Sequence, residues 1–154
     1  MRRILFYILR AFAFLSRLVG KSLYMRLIVM AHKSQGVKFV GRPEYIHQDA
    51  YLDPSGGLTI HEGAVISTKV IILTHDWSFL KRKDFKNDGD LEKKAYKPVV
   101  IGANSFIGAG SVVLPGTVIG CNCIVGAGAV VKRGGEDYSI LVGNPARRIE
   151  NKKL

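Results

Sequence analysis

The sequence predicts an all-β protein, a parallel β-helix of six-residue repeats that follows a helical segment. Three features of the 154-residue chain favour this fold: 17 glycines, a hydrophobic share of 47% with only 9% aromatic residues, and aliphatic residues that recur every six positions. A solenoid of short strands needs branched aliphatic side chains inside and small residues at its tight corners. The length suits one domain of about 100–150 residues with an appendage.

The first segment, residues 1–35, is predicted to be a basic amphipathic helix. Residues 1–31 are rich in Leu, Ile, Phe, Met and Arg and contain no proline, which favours helix. At about 100° per residue, one narrow stripe holds Arg3, Arg10, Arg17 and Lys21, and the large apolar side chains cover the remainder. The segment has seven basic residues and no acidic one, so much of the net charge of +11 lies here.

The apolar side chains of residues 1–31 raise the question of a membrane. No uncharged run exceeds six residues before Leu18, because Arg10 and Arg17 interrupt it, and a transmembrane helix needs about 20 predominantly apolar residues. A secretory signal peptide is not expected either, since an uninterrupted apolar centre is missing. Two interpretations stay open: an interfacial helix on anionic lipid, or a helix packed on the main domain or on a neighbouring subunit.

The repeat region covers residues 36–150. Aliphatic residues at six-residue intervals are Ile101, Ile107, Val113, Ile119, Val125 and Val131, and the small residues four positions after the first five are Ser105, Ser111, Thr117, Cys123 and Ala129. The same spacing occurs at Val40, Ile46 and Leu52 and, after a two-residue slip near residues 55–57, at Ile60, Ile66 and Ile72. A later gap predicts an insertion loop at about residues 78–98. A period of six excludes amphipathic helix and half-exposed sheet, which repeat every 3.6 and 2 residues.

The glycine- and proline-containing motifs within the repeat are more specific than its six-residue period. It includes Ile107-Gly108-Ala109-Gly110, Leu114-Pro115-Gly116, Val125-Gly126-Ala127-Gly128 and Gly143-Asn144-Pro145-Ala146. These motifs resemble the hexapeptide-repeat acetyltransferases over about residues 37–150, and most of all the branch with the maltose, galactoside, virginiamycin and exopolysaccharide-modifying acetyltransferases. The resemblance implies a left-handed β-helix, a homotrimer with active sites between adjacent subunits, and acetyl-CoA as the co-substrate.

A candidate catalytic residue lies where the repeat breaks into the insertion, in Thr74-His75-Asp76-Trp77. An alcohol attacks a thioester readily only when a positioned base removes its proton, and histidine accepts protons near neutral pH. His75 resembles the catalytic histidine of the family. That resemblance implies direct acetyl transfer in a ternary complex, with backbone amides stabilising the oxyanion.

Three further residues are candidates for acceptor binding. Asp53 looks like the position at which family members place an Asn or Asp near the acceptor, although a turn aspartate before Pro54 is an equal interpretation. Asp76 and Trp77 are expected to shape the acceptor pocket, because an aromatic face suits a sugar ring. The alternative for Trp77 is an anchor of the loop in the core.

The expected coenzyme A site is a groove between coils. Ala109 and Ala127 match positions where small residues let the pantetheine arm approach the backbone. The candidate cations for the nucleotide phosphates are Lys132, Arg133, Arg147 and Arg148. The sequence departs from the family at Gly134-Gly135-Glu136, where an Asp-Val-Pro-like stretch is usual.

The remaining features narrow the class of function. Cys121 and Cys123 are one residue apart, which is a poor disulfide spacing and favours free thiols in a cytoplasmic protein. No metal site is expected, because no two histidines lie within ten residues, and no nucleic-acid-binding motif is recognisable. The sequence therefore predicts an acetyl-CoA-dependent O-acetyltransferase of a sugar hydroxyl, in surface polysaccharide or glycan biosynthesis, cytoplasmic or peripheral on the inner face of the membrane. The alternative is a non-catalytic β-solenoid scaffold or membrane-associated adaptor.

Overall fold

The computed structural model describes residues 1–78 and 95–149, and it begins with a helical hairpin. Helix α1 spans Arg2–Ser16 and helix α2 spans Lys21–Gln35. The sequence predicted one helix here; the break comes at Gly20, whose φ of 149° is open to glycine but strained for other residues. Helix α2 ends at Gly36, which takes the left-handed conformation that commonly terminates helices.

Short strands follow the hairpin throughout the described ranges. They are β1 (Lys38–Val40), β2 (Tyr45–Ile46), β3 (Tyr51–Leu52), β4 (Leu58–His61), β5 (Val65–Ile66), β6 (Ile71–Ile72), β7 (Val99–Ile101), β8 (Phe106–Ile107), β9 (Val112–Val113), β10 (Val118–Ile119), β11 (Ile124–Val125), β12 (Val130–Val131), β13 (Ile140–Val142) and β14 (Arg147–Ile149). Three sheets result, in the orders β1-β4-β7-β10, β14-β13-β11-β8-β5-β2 and β12-β9-β6-β3. The chain visits the three sheets in turn, which makes a parallel β-helix.

The register of the sheets reproduces the six-residue repeat. Ile119 pairs with Ile101 and Val131 pairs with Val113, so a regular coil is 18 residues long, or three repeats. Ile72 pairs with Val113 at a separation of 41 residues, which places an insertion between β6 and β7. Most of the predicted loop at residues 78–98 lies outside the described residues.

The interior of the β-helix contains the predicted aliphatic residues, with one exception. All six positions from Ile101 to Val131 are buried, as are Ile46, Leu52, Ile60, Ile66 and Ile72. The prediction for Val40 was wrong: Val40 is 42% exposed, and Phe39 pairs with Ile60 and packs against the core instead. One extra residue between β1 and β2 shifts the register, and a shift by one residue turns each side chain to the opposite face.

The small residues of the repeat are buried at the corners between sheets. The hydroxyl of Ser111 donates a hydrogen bond to the carbonyl of Gly108 at 2.7 Å, and that of Thr117 donates to the carbonyl of Leu114 at 2.6 Å. A buried hydroxyl without a partner costs about 1–3 kcal/mol, so these bonds explain how Ser and Thr replace Ala here. At Gly108 a Cβ atom would lie 2.6 Å from the carbonyl oxygen of Val125 in the next coil.

Both ends of the β-helix are covered. Tyr24 and Ile28 of α2 are buried against the first coil, and the Tyr24 hydroxyl donates to the carbonyl of Ile46 at 2.7 Å. At the other end β13 pairs parallel with β11, and β14 runs antiparallel to β13. These elements cap the two ends of the solenoid core, as solenoids require. Neither described helix has the length and apolar character needed to span a bilayer.

Candidate active site

The predicted catalytic histidine lies at a corner of the β-helix where the insertion leaves and returns. His75 follows β6 and forms an antiparallel bridge with Tyr96 on the returning segment. The amide of Lys97 donates to the carbonyl of Thr74 at 2.8 Å. The two ends of the insertion are therefore fastened to each other beside His75.

Asp53 lies one coil before His75 at the same corner, and its carboxylate is buried. Its Oδ1 accepts hydrogen bonds from the Ser55 amide at 3.0 Å and the Ser55 hydroxyl at 2.6 Å. Its Oδ2 accepts from the Thr74 amide at 2.8 Å and the Thr74 hydroxyl at 2.7 Å. Burial by itself would raise the pKa of Asp53, but the hydrogen bonds from Ser55 and Thr74 outweigh it and hold that pKa well below its usual range. Asp53 is therefore ionised at neutral pH.

The charge on Asp53 fixes the tautomer of His75. The imidazole Nδ1 lies 2.7 Å from Asp53 Oδ2 and 2.9 Å from Ser55 Oγ. An ionised carboxylate can only accept a hydrogen bond, so Nδ1 carries a proton, and in the neutral ring Nε2 keeps its lone pair. The side chain of His75 is 33% exposed at the rim of the coil.

Gly56 holds the two coils together at this corner. Its amide donates to the Thr74 hydroxyl at 2.8 Å, and a Cβ atom at Gly56 would overlap the Thr74 carbonyl oxygen. No larger residue fits without moving the backbone that carries His75. The two-residue slip seen in the sequence is thus the turn that brings Asp53 and Ser55 against Thr74.

The predicted acceptor residues beyond His75 lie on the exposed side of the pair. Asp76 is exposed, and hydrogen bonds from the side chain and the backbone amide of Ser78 lower its pKa. Trp77 is 37% exposed and packs edge-on against Tyr96 with ring centroids 5.5 Å apart. Tyr96 also lies 6.2 Å from the His75 ring. Trp77 and Tyr96 therefore form an aromatic wall beside the histidine.

The predicted coenzyme A residues fall along both edges of the sheet β12-β9-β6-β3. Ala109 and Ala127 stack in neighbouring coils at the edge before β9 and β12, and the Gly128 amide donates to the Ala109 carbonyl at 2.9 Å. Lys132 and Arg133 are exposed at the other edge, directly after β12. This is the corner that carries His75, two coils away, or about 10 Å at the spacing of neighbouring strands.

The two C-terminal arginines lie on β14. Arg147 pairs with Val142 in the antiparallel ladder, and Arg148 forms an exposed ion pair with Glu136 at 3.2 Å. Glu136 belongs to the stretch in which the sequence departs from the family pattern. Glu136 therefore partly neutralises the charge of Arg148. Lys132 and Arg133 lie closer to the corner of His75.

The sequence analysis missed three residues of this site. Thr74 directly precedes His75 and Ser55 follows Asp53 by two residues, so the signal was a polar residue within two positions of each candidate at a break in the repeat. Tyr96 comes from the far end of the insertion, and no spacing in the sequence relates it to His75. Within residues 1–78 and 95–149, no three His, Cys, Asp or Glu side chains are grouped as metal ligands would be.

Comparison with known proteins bears on the fold and the site. Residues 98–133 match the family model described as bacterial transferase hexapeptide (six repeats). No curated protein sequence matches the chain. A maltose O-acetyltransferase from Clostridium difficile 630 shares 28% identity, with a TM-score of 0.53 over 77% of this chain and 58% of that one. The chain folds as a hexapeptide-repeat β-helix.

Two further structures resemble this hexapeptide-repeat protein. A point mutant of AntD, an N-acyltransferase from Bacillus cereus in complex with dTDP and coenzyme A, shares 25% identity, with a TM-score of 0.56 over 75% of this chain and 66% of that one. A galactoside acetyltransferase in complex with coenzyme A aligns over 97% of this chain and 78% of that one, with a TM-score of 0.62 and 18% identity.

These likenesses establish the fold of the hexapeptide-repeat protein as a left-handed parallel β-helix with an N-terminal helical segment. The galactoside acetyltransferase, at 18% identity, supports the fold alone. The chain spans 66% of the length of AntD and 58% of that of the maltose O-acetyltransferase.

Proposed function

We propose that the chain is an acyl-CoA-dependent O-acetyltransferase that acts on a sugar hydroxyl and uses His75 as its general base. The observation that carries the proposal is the Asp53–His75 pair, in which Asp53 accepts the hydrogen bond from Nδ1, so that Nε2 of the neutral ring can accept a proton. The similarity to a maltose O-acetyltransferase and to a coenzyme A complex of an N-acyltransferase supports the class.

In the proposed mechanism, Nε2 of His75 takes the proton of the acceptor hydroxyl as its oxygen attacks the acetyl carbonyl. The tetrahedral intermediate then collapses, the carbon–sulfur bond breaks, and the imidazolium returns the proton to the leaving thiolate. Asp53 stabilises the imidazolium and holds the ring in place. A general base of this kind contributes about 10²–10⁴-fold to the rate.

Acetyl-CoA would bind across the sheet β12-β9-β6-β3, with Ala109 and Ala127 at one edge and Lys132 and Arg133 at the other. Small side chains leave the backbone amides open to the pantetheine arm, and exposed cations attract phosphate. Arg147 and Arg148 would add positive charge at the end of the same groove. In a homotrimer, the neighbouring subunit would close this groove over the bound coenzyme.

Acceptor-dependent release of free thiol from acetyl-CoA tests the function. The panel contains neutral sugars, sugar nucleotides and their amino-sugar counterparts, and mass spectrometry identifies whether oxygen or nitrogen is acetylated. The proposal expects an O-acetylated product. Transfer to amines alone would show that the protein is an N-acyltransferase instead. If no thiol is released and calorimetry detects no coenzyme A binding, a non-catalytic scaffold is favoured.

Helix α1 suggests that the protein also contacts a membrane surface. Its outward face carries exposed apolar side chains, among them Ile4 at 66% and Leu15 at 59% exposure, and Leu18, in the turn after the helix, is 92% exposed. The inward face places the Arg10 guanidinium against the carbonyl of Gln48. Residues 1–35 carry seven cations and no acid, so this end of the molecule attracts an anionic lipid surface and repels a second copy of itself. Peripheral binding to anionic lipid is therefore the proposed role of this face.

A further inference from the structure

A cavity adjoins the proposed active site. A cleft of about 440 Å³ separates the helical hairpin from the first coil, and its lining includes Arg3, Arg10, His32, Gln35, Tyr51 and Ser55. We call it the hairpin cleft. It also reaches Asp53, and both Asp53 and Ser55 hydrogen-bond to His75. The cleft therefore ends at the two residues that hold Nδ1 of His75, and His75 itself is not part of its lining.

The charge of the hairpin cleft is positive where a ligand would meet it. Within residues 1–78 and 95–149, neither Arg3 nor Arg10 forms an ion pair with a carboxylate. Arg10 is held by its bond to the Gln48 carbonyl and lies 5.2 Å above the Phe6 ring. The acidic residue of the lining is Asp53, and both of its oxygens already accept hydrogen bonds inside the corner. Among the described residues, these two arginine charges therefore have no carboxylate partner.

The wall of the hairpin cleft also contains an unpartnered polar atom. His32 is 2% exposed, and its Nε2 has no hydrogen-bond partner. Burial, followed by the nearby Arg10 charge, lowers the pKa of His32 to about 4, so the ring is neutral at pH 7. The unpartnered Nε2 is an unfavourable feature of the hairpin, and the neutral ring adds no charge to the wall of the cleft.

The remaining lining suits a sugar. Tyr51 is 56% exposed and offers an aromatic face at the mouth of the cleft. The Gln35 amide nitrogen donates to the Arg2 carbonyl at 2.9 Å, which leaves its carbonyl oxygen to accept a hydrogen bond from a hydroxyl. Aromatic, amide and guanidinium groups together match a hydroxylated ring that carries a negative charge.

We propose that the hairpin cleft binds the acceptor, and that Arg3 and Arg10 select acceptor sugars bearing a carboxylate or a phosphate. This inference rests on the proposed function, because it names the class of molecule presented to His75. Guanidinium groups bind either anion in a bidentate manner. The two arginines are therefore proposed to determine specificity rather than to take part in proton transfer.

The test compares methyl glucoside, glucuronic acid and glucose 1-phosphate as matched neutral, carboxylate and phosphate probes. Calorimetry at low ionic strength measures binding, and thiol release measures transfer. We expect the full-length protein to prefer one or both anionic probes. Arg3→Gln should lower the preference for the anionic over the neutral probe about tenfold, the effect of losing one charged hydrogen bond. Arg3→Lys should retain part of it.

Arg2→Gln is the matched control, because it removes the same charge one residue away from the lining of the cleft. It should keep the wild-type preference. Equal preference for neutral and anionic probes, equal effects of Arg2→Gln and Arg3→Gln, or no binding of either anion would overturn the inference. If binding of the anionic probes depends on Arg3 but no thiol is released, the hairpin cleft is confirmed as an anion-binding site and the proposed acetyl transfer is rejected. Melting temperatures confirm that each variant is folded.

Discussion

Single residues at the corner of His75 determine whether the site can act as a base. Asp53→Asn removes the charge that keeps the proton on Nδ1 of His75, since an amide can donate to that nitrogen and shift the proton to Nε2. We expect kcat for acetyl transfer to fall about 100-fold while coenzyme A binding is retained. Steady-state kinetics with calorimetry tests this. An Asp53→Asn variant with wild-type kcat would show that Asp53 is only a turn residue.

Asp53 also makes stability depend on pH at the acidic end. Its pKa is lower in the folded chain than the value of about 3.9 expected when unfolded. The ionised form therefore stabilises the fold fully above about pH 4, and this contribution is lost as pH falls toward the folded pKa. The free energy of unfolding of Asp53→Asn, measured in denaturant, should differ from wild type at pH 7 and approach it below pH 4. A difference independent of pH would contradict this.

The helical hairpin has its own pH dependence, which begins nearer to neutrality. Burial lowers the pKa of His32 from 6.5 to about 4. Stability from the neutral ring is thus complete above about pH 6.5 and is lost as pH falls to about 4, by up to about 3 kcal/mol. His32→Leu should remove this loss between pH 6.5 and 4 and leave the Asp53 effect below it. Denaturant titrations between pH 6.5 and 4 measure the free energy of unfolding of the wild type and of His32→Leu. If that free energy falls with pH equally in both proteins, His32 is not the group responsible.

The outward face of α1 predicts binding to anionic vesicles. Leu15→Glu places a negative charge in that face, and because Leu15 is 59% exposed the fold should be little affected. We expect the full-length protein to sediment with vesicles rich in phosphatidylserine, and the variant to remain in solution. Lys69→Glu, a larger charge change on an exposed corner of the β-helix, serves as the control. Equal sedimentation of wild type and Leu15→Glu would remove α1 as the contact.

At the scale of the whole molecule, an apolar strip on the outside of the six-stranded sheet suggests how subunits assemble. Phe106 and Ile124 pair in neighbouring strands with their side chains outward, 44% and 46% exposed. If copies of the chain associate as the proposed trimer, such side chains are natural contacts. Ile124→Glu should reduce the mass in ultracentrifugation to that of one chain and abolish transfer. A trimer that survives the change would place the contact elsewhere.

The regular part of the molecule follows from its sequence because each aliphatic residue and each small corner residue has one environment in a β-helix. The predicted register was wrong at Val40, because one extra residue in the following loop places Val40 on the outer face of its strand. The break at Gly20 was missed because helix propensity on both sides of it is high. His75 and Asp53 were predicted as site residues from their resemblance to family positions, and His75 also from its place at a break in the repeat; the structure brings the two side chains within 2.7 Å of each other. Tyr96 and the hairpin cleft were not predicted. Each brings together segments that are far apart in the chain, and no repeat or motif in the sequence relates those segments.

The central claim is that His75 removes the proton of the acceptor, and single-turnover acetyl transfer by His75→Ala tests it most directly. His47→Ala is the matched control, since His47 also lies at a coil corner beside an aspartate, with its Nδ1 3.6 Å from Asp49. The account predicts that His75→Ala loses at least about 100-fold in rate, while His47→Ala retains the wild-type rate. Equal rates for His75→Ala and the wild-type protein would contradict the proposed mechanism.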